Sequence, residues 1–209
     1  MVLHPHLDVG AVAAGFGTGL SLIVAIGAQN SFVLRQGLRR EHVATIVTVC
    51  VTSDLVLIVS GVAGLGVLVR TSPTALAVIA WAGAAFLIGY ALTAVRRALR
   101  PGVLVAAEAG ASGPTRRGSL LTCMGLTWLN PHVYLDTVLL LGSISAGYGT
   151  GRWMFAVGAG AASTLWFCGL GFGARLARPV FARPGSWRVL DGVIAATMLL
   201  IGIKLLTSR

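Results

Sequence analysis

Apolar residues gather along the chain into six long runs, at about 9–33, 44–69, 74–95, 118–145, 153–174 and 188–206. Each is close to the roughly 20 residues an α-helix needs to cross about 30 Å of hydrocarbon, so each predicts a transmembrane helix. The connectors are short and polar. The first holds Arg35, Arg39, Arg40 and Glu41, and the second Arg70 and Pro73. The third is the longest: Arg96, Arg97, Arg100, Pro101 and Gly102, a small-residue segment, then Arg116 and Arg117. The fourth runs from Tyr148 to Arg152, and the fifth carries Arg175, Arg178, Pro179, Arg183, Pro184 and Arg188. Basic residues concentrate in the odd connectors, leaving Arg70, Arg152, Lys204 and Arg209 for every other exposed segment. The positive-inside rule therefore makes the odd connectors cytoplasmic and turns both termini outward.

Three runs on either side of the long connector suggest a duplicated unit: 1–95 as a first three-helix repeat, 96–117 as a cytoplasmic connector, and 118–209 as a second repeat, all in one membrane domain. An odd number of spans per repeat inverts the second copy, the plan of many secondary transporters. Such transporters interrupt helices at corresponding positions of the two halves. Here Gly27-Ala28-Gln29-Asn30 interrupts the first run and Asn130-Pro131-His132 the fourth. The expected fold is an all-α integral membrane protein of six transmembrane helices, built as two inverted three-helix repeats with helices 1 and 4 broken. Pro131 lacks an N–H, and its ring clashes with the carbonyl four residues earlier, at Thr127, so the fourth helix should break there. In hydrocarbon a broken helix is tolerated only against protein or a wet cavity.

Composition agrees with the pattern. The 209 residues are 56% hydrophobic and 11% charged, against about 25% charged in soluble domains. The net charge of +10 does not point to nucleic acid, because the arginines sit in short clusters between apolar runs rather than on one basic face. Cys50, Cys123 and Cys168 are single residues inside apolar runs, which reads as packing and not as a metal site or disulfide framework. No basic segment precedes the first run, so it is kept as a mature span although Ala25-Ile26-Gly27-Ala28 imitates a cleavage site. The glycine clusters 15–19 and 169–173 do not sit in a strand–loop–helix unit, so no nucleotide cofactor is implied. Gly15 and Gly19 form a small-xxx-small pair that lets helices approach, and such faces are compatible with a homodimer.

Three acids lie within or against the spans. Asp191, read as the first turn of the last helix, complements the helix dipole. Asp54 and Asp136 are different, because a carboxylate near mid-membrane costs about 2.5–3.5 kcal/mol on insertion scales and marks function by default. His132 and Asp136, four apart, share a helix face and can share a proton. No Lys or Arg lies deep in a run, since Arg35 and Lys204 sit near ends where long side chains snorkel. Acids without an intramembrane cation suggest that the cation arrives from outside, as a metal ion, a proton or an organic ammonium or guanidinium. The ligand set is too small for a metal. Gln29, Asn30, Ser53, Thr127 and Asn130 add neutral donors and acceptors, and broken-helix N-termini favour a carboxylate. Acids for a side-chain cation and a helix end for an α-carboxylate describe a basic amino acid. The competing classes are an exporter of neutral amino acids or other small metabolites on the same scaffold, a membrane enzyme, for which no nucleophile–base set is present, and a structural subunit.

The residues that carry this chemistry resemble the lysine and arginine exporters of the LysE/ArgO type within the LysE superfamily. The resemblance spans essentially the whole chain. Its most specific segments are 27–40 (Gly-Ala-Gln-Asn-Ser-Phe-Val-Leu-Arg-Gln-Gly-Leu-Arg-Arg), Ser53-Asp54, and 128–137 (Trp-Leu-Asn-Pro-His-Val-Tyr-Leu-Asp-Thr). The neutral amino-acid branch has Pro-Gly-Pro in its first span and lacks the acid after Asn-Pro. Gly27-Ala28-Gln29-Asn30 and Asp136 thus place this chain on the basic branch. The resemblance implies a multi-pass exporter of L-lysine or L-arginine in the bacterial inner membrane, without enzyme activity or cofactor. Gln29, Asn30, Asp54, Asn130 and Asp136 are then the candidate substrate-binding residues, and Asp54, His132 and Asp136 the candidate proton carriers. Moving a +1 solute out of an inside-negative cell costs about 2.3 kcal/mol per 100 mV, so export needs coupling, most simply proton antiport. No Walker-type loop is present for ATP.

Overall fold

A computed structural model of the chain describes residues 8–24, 27–64, 73–99, 115–177, 179 and 184–207. Residues 1–7, the pair 25–26, Arg70, the stretch 100–114 of the expected connector, Arg178 and Arg183 lie outside the described residues. Among the described residues every regular element is helical. In chain order they are α1 (Val9–Ile23), α2 (Ala28–Arg39), α3 (Val43–Val62), α4 (Pro73–Leu99) and α5 (Arg116–Trp128). A single turn, α6 (Pro131–Val133), then runs into a π-helix (Tyr134–Leu141) and α7 (Gly142–Ala146). A 3₁₀ turn (Gly149–Gly151), α8 (Arg152–Gly173), a second 3₁₀ turn (Ala174–Ala177) and α9 (Pro184–Thr207) complete the chain.

Local chemistry sets the ends. The Asp8 carboxylate accepts the Ala11 N–H at 3.0 Å and opens α1, and the Thr115 hydroxyl accepts the Gly118 N–H at 3.1 Å and opens α5, each satisfying an amide the helix leaves unbonded. Arg40 closes α2 in the left-handed region, φ 58°, while the Glu41 N–H donates to the Gln36 carbonyl at 3.1 Å. Val43–Val62, Gly149–Ala177 and Gly185–Ile203 are long and apolar enough to cross a bilayer, and Trp81–Arg96 and Tyr134–Ala146 are shorter apolar helices.

The contacts define two compact units. The first takes Met1–Ala25, Val51–Ser72 and His132–Trp166. Its core holds Ala11, Ile58, Val62, Leu141, Phe155, Ala156 and Ala159. Glycines let its backbones touch. Gly15 lies directly on the Phe155 carbonyl, Gly158 on the Val12 carbonyl, and a Cβ on Gly19 would meet the Ala159 Cα at 3.0 Å. The pair Gly15/Gly19 thus serves the close approach its spacing predicts.

The second unit takes Ile26–Cys50, Pro73–Pro131 and Phe167–Arg209. Here α9 packs chiefly on α4, with Ala84, Leu87, Ala91 and Ala94 buried on one and Ile194, Ala195 and Met198 on the other. These spacings of three and four are the apolar stripes of packed helices. On α2, Gly37 sits against the Gly171 carbonyl and the Ala174 methyl. The sulfurs of Cys50 and Cys123 touch at 3.3 Å as free, fully buried thiols, in keeping with their reading as small packed groups.

Gly15→Ala and Gly158→Ala should each wedge α1 from α8 and cost about 1–3 kcal/mol, as overpacking does. Gly17→Ala, which opens onto empty space, should gain up to about 1 kcal/mol from helix propensity. Melting of the detergent-purified variants checks this, with the first two transitions lowered and the third unchanged or raised.

Candidate functional site

The fourth apolar run is interrupted where Pro131 requires. The helix α5 stops at Trp128, the Leu129 N–H reaches back to the Gly125 carbonyl at 3.1 Å, and helix resumes at Pro131. The eight-residue π-helix that follows was not expected from the sequence. It carries Asp136 in its first turn, and π segments inside α-helices recur at functional sites. His132 Nδ1 and Asp136 Oδ2 lie 3.8 Å apart, with both side chains about two-fifths exposed. A Cβ on Gly61 of α3 would lie 2.7–3.0 Å from the Thr137 and Val138 backbone, and one on Gly142 would meet the Gly61 carbonyl at 2.6 Å, so the two backbones pack closely. These contacts hold the segment bearing Asp136 against the end of α3 within the first unit.

Asp54 lies on the same helix, seven residues and thus about 10 Å before Gly61. It is 7% exposed, and its Oδ2 accepts the hydroxyl of fully buried Ser163 at 2.8 Å. Among the described residues no basic side chain pairs with it. The partner is neutral, so the carboxylate keeps its charge when ionised. The sequence reading missed Ser163. Its signal was a hydroxyl in an otherwise apolar run, a weak one because hydroxyls usually bond their own helix. Thr164 does so, donating to the Gly160 carbonyl at 2.8 Å.

Gln29, Asn30 and Asn130 lie in the second unit. The N-cap of α2 is Gly27, extended at φ −121° and ψ 178°, and it brings no side chain to the first-turn amides. Gln29 Nε2 is buried and finds no hydrogen-bond partner among the described residues. Amides at a helix N-terminus beside an unused amide donor form a surface that suits an anionic oxygen. Asn130 lies in the gap between α5 and Pro131, half-buried. Among the described residues no cluster of three or more His, Cys, Asp or Glu could hold a metal.

Two expectations are corrected. Arg35 does not snorkel; it is 5% exposed and forms a hydrogen-bonded ion pair with Asp191. Asp191 is the eighth residue of α9, not in its first turn, and is fully buried. The partners are 156 residues apart, a separation that hides the pairing from any local reading.

A family model described as LysE type translocator matches residues 20–209. A Mycobacterium tuberculosis protein named provisionally as an amino-acid transporter is 47% identical, the match covering 90% of this chain and 93% of the relative. The lysine exporter LysE of Corynebacterium diphtheriae is 37% identical, covering 92% and 97%. The arginine exporter ArgO of Salmonella enteritidis is 39% identical, covering 91% and 90%. No solved structure gives a significant match.

Ser163→Ala should leave the Asp54 carboxylate buried without its hydrogen bond and cost about 1–3 kcal/mol, whereas Thr164→Ala should change stability little. Denaturation of the two variants beside wild type checks the contrast, and equal midpoints would remove Ser163 from the site.

Proposed function

Because the chain belongs to the LysE-type translocator family, we propose that it exports the basic amino acids L-lysine or L-arginine from the cytoplasm in exchange for protons. It is a multi-pass membrane transporter and not an enzyme. The observation that carries the reading is Asp54, a buried carboxylate whose hydrogen-bond partner is the neutral Ser163 hydroxyl. An intramembrane acid with no counter-charge among the described residues is suited to a cation that comes and goes. The names of relatives from two genera, a lysine exporter and an arginine exporter, point to the same class of solute.

The roles divide by chemistry. The uncapped N-terminus of α2, with Gln29 and Asn30, supplies donors for the substrate carboxylate. Asn130, at the helix break, adds a neutral amide. Asp54 and Asp136 supply negative charge for the side-chain ammonium or guanidinium, and each is also a candidate for the coupled proton, with His132 beside Asp136 as relay. Ionised, the carboxylate holds the substrate cation; protonated from the outer side, it releases it. The coupling answers the electrical cost of export, about 2.3 kcal/mol per 100 mV for one charge. The six-helix inverted repeat of 1–95 and 118–209, the placement in a bacterial inner membrane with both termini outside, contact with lipid and assembly as a homodimer belong to this proposal.

Efflux of preloaded radiolabelled arginine and lysine from cells expressing matched amounts of wild type, Asp54→Asn and Asp136→Asn tests it. Asparagine can still accept the Ser163 hydroxyl, so Asp54→Asn should reach the membrane in normal amount while export falls at least about tenfold, the loss of roughly 1.4 kcal/mol of charge-dependent stabilisation. Normal export by both variants would make the acids structural. Export of neutral amino acids alone, unaffected by Asp136→Asn, would move the protein to the neutral class.

A further inference from the structure

The buried Arg35–Asp191 pair plays no part in the roles assigned above. It lies wholly within the second unit, joining α2 to α9. The Arg35 guanidinium also sits 5.5 Å from the centroid of the Trp187 ring, and Trp187 is one turn before Asp191 on the same helix face. A carboxylate and an indole face, both held on one helix, are the two groups that recognise a guanidinium or ammonium, by charge-assisted hydrogen bond and by cation–π attraction.

An ion pair is a poor choice if the only task is to hold the unit together. Removing both charges from water carries a heavy desolvation penalty, and well-packed apolar residues often hold as well or better. Apolar packing is already in place on α2, where Gly37 seats against Gly171 and Ala174. What an ionic contact adds is that a competing ion can open it. The same helix carries Gln29 and Asn30 within two turns of Arg35.

We propose that Asp191 and Trp187 form a second cation site, occupied at rest by the chain's own Arg35, and that the side-chain cation of a basic amino acid displaces Arg35 during transport. The ligand class is an alkyl guanidinium or alkylammonium carrying an α-amino acid group. In the described conformation the site is shut, with Arg35 5% and Asp191 0% exposed, so displacement accompanies a rearrangement of α2. The inference rests on the proposed basic amino-acid substrate.

The test uses wild-type protein. Phenylglyoxal condenses with accessible guanidinium groups and not with lysine, so Arg35 modification can be followed by peptide mass spectrometry with saturating L-lysine, with L-leucine, or with neither. Displacement predicts that lysine, and not leucine, speeds modification of Arg35 at least about threefold, with surface arginines such as Arg116 unchanged. A second reading comes from Arg35→Ala, which removes the resident competitor and should bind lysine at least about threefold more tightly, a gain abolished by adding Asp191→Asn. If wild type exports lysine yet Arg35 stays equally protected, the pair is a static clamp and the inference fails while the transport reading stands. If wild type exports neither basic amino acid, the transport reading fails first and takes this site with it.

Discussion

Polar atoms inside hydrocarbon must find partners within the protein, because there is no water to take them. Several hydroxyls in these helices meet that demand locally. Ser60 donates to Val56, Thr122 to Gly118, Thr127 to Cys123 and Thr164 to Gly160, each bonding the carbonyl one turn back. Such bonds satisfy the group and say nothing of function. Against this background Ser163 stands apart. It crosses from α8 to α3 and holds a carboxylate.

Much of this was legible in the sequence because it rests on short-range rules. The interruption at Pro131 and the small-residue contact of Gly15 and Gly19 each follow from residue type and spacing, whereas of the six expected spans only three helices are long and apolar enough to cross a bilayer by themselves among the described residues. Asp54 and Asp136 were legible for the same reason, since an acid inside an apolar run is costly whatever it faces. The π-helix from Tyr134 to Leu141 was not. Its residues have no composition that separates them from an α-helix, and wider winding depends on what packs against it, here the bare backbone of Gly61. The Arg35–Asp191 pair was hidden by separation in sequence. The reading placed Arg35 at a run end and Asp191 at a helix start, and either alone was consistent with solvent.

The two buried acids therefore differ in kind. Asp191 is matched by a guanidinium, so the pair is neutral as a whole and its charge is spent internally. Asp54 is matched by a hydroxyl, which satisfies a lone pair without cancelling charge. Among the described residues only the second arrangement leaves a buried charge uncancelled, and the proposed cation site relies on that charge.

The same comparison bears on how export could be made vectorial. A site that binds lysine or arginine tightly from the cytoplasm must weaken before release, and binding energy alone gives no direction. Protonation weakens a carboxylate held by a neutral hydroxyl directly, since the hydroxyl remains satisfied by either form. Protonating a carboxylate held by a guanidinium would instead strand a buried cation, a far larger penalty. Under the proposed proton exchange, these grounds favour Asp54 over Asp191 as the proton carrier, and any exchange at Asp191 would be one cation for another. In that proposal each buried acid would have a separate task set by its partner: proton-linked release where the partner is neutral, cation-linked opening where the partner is charged.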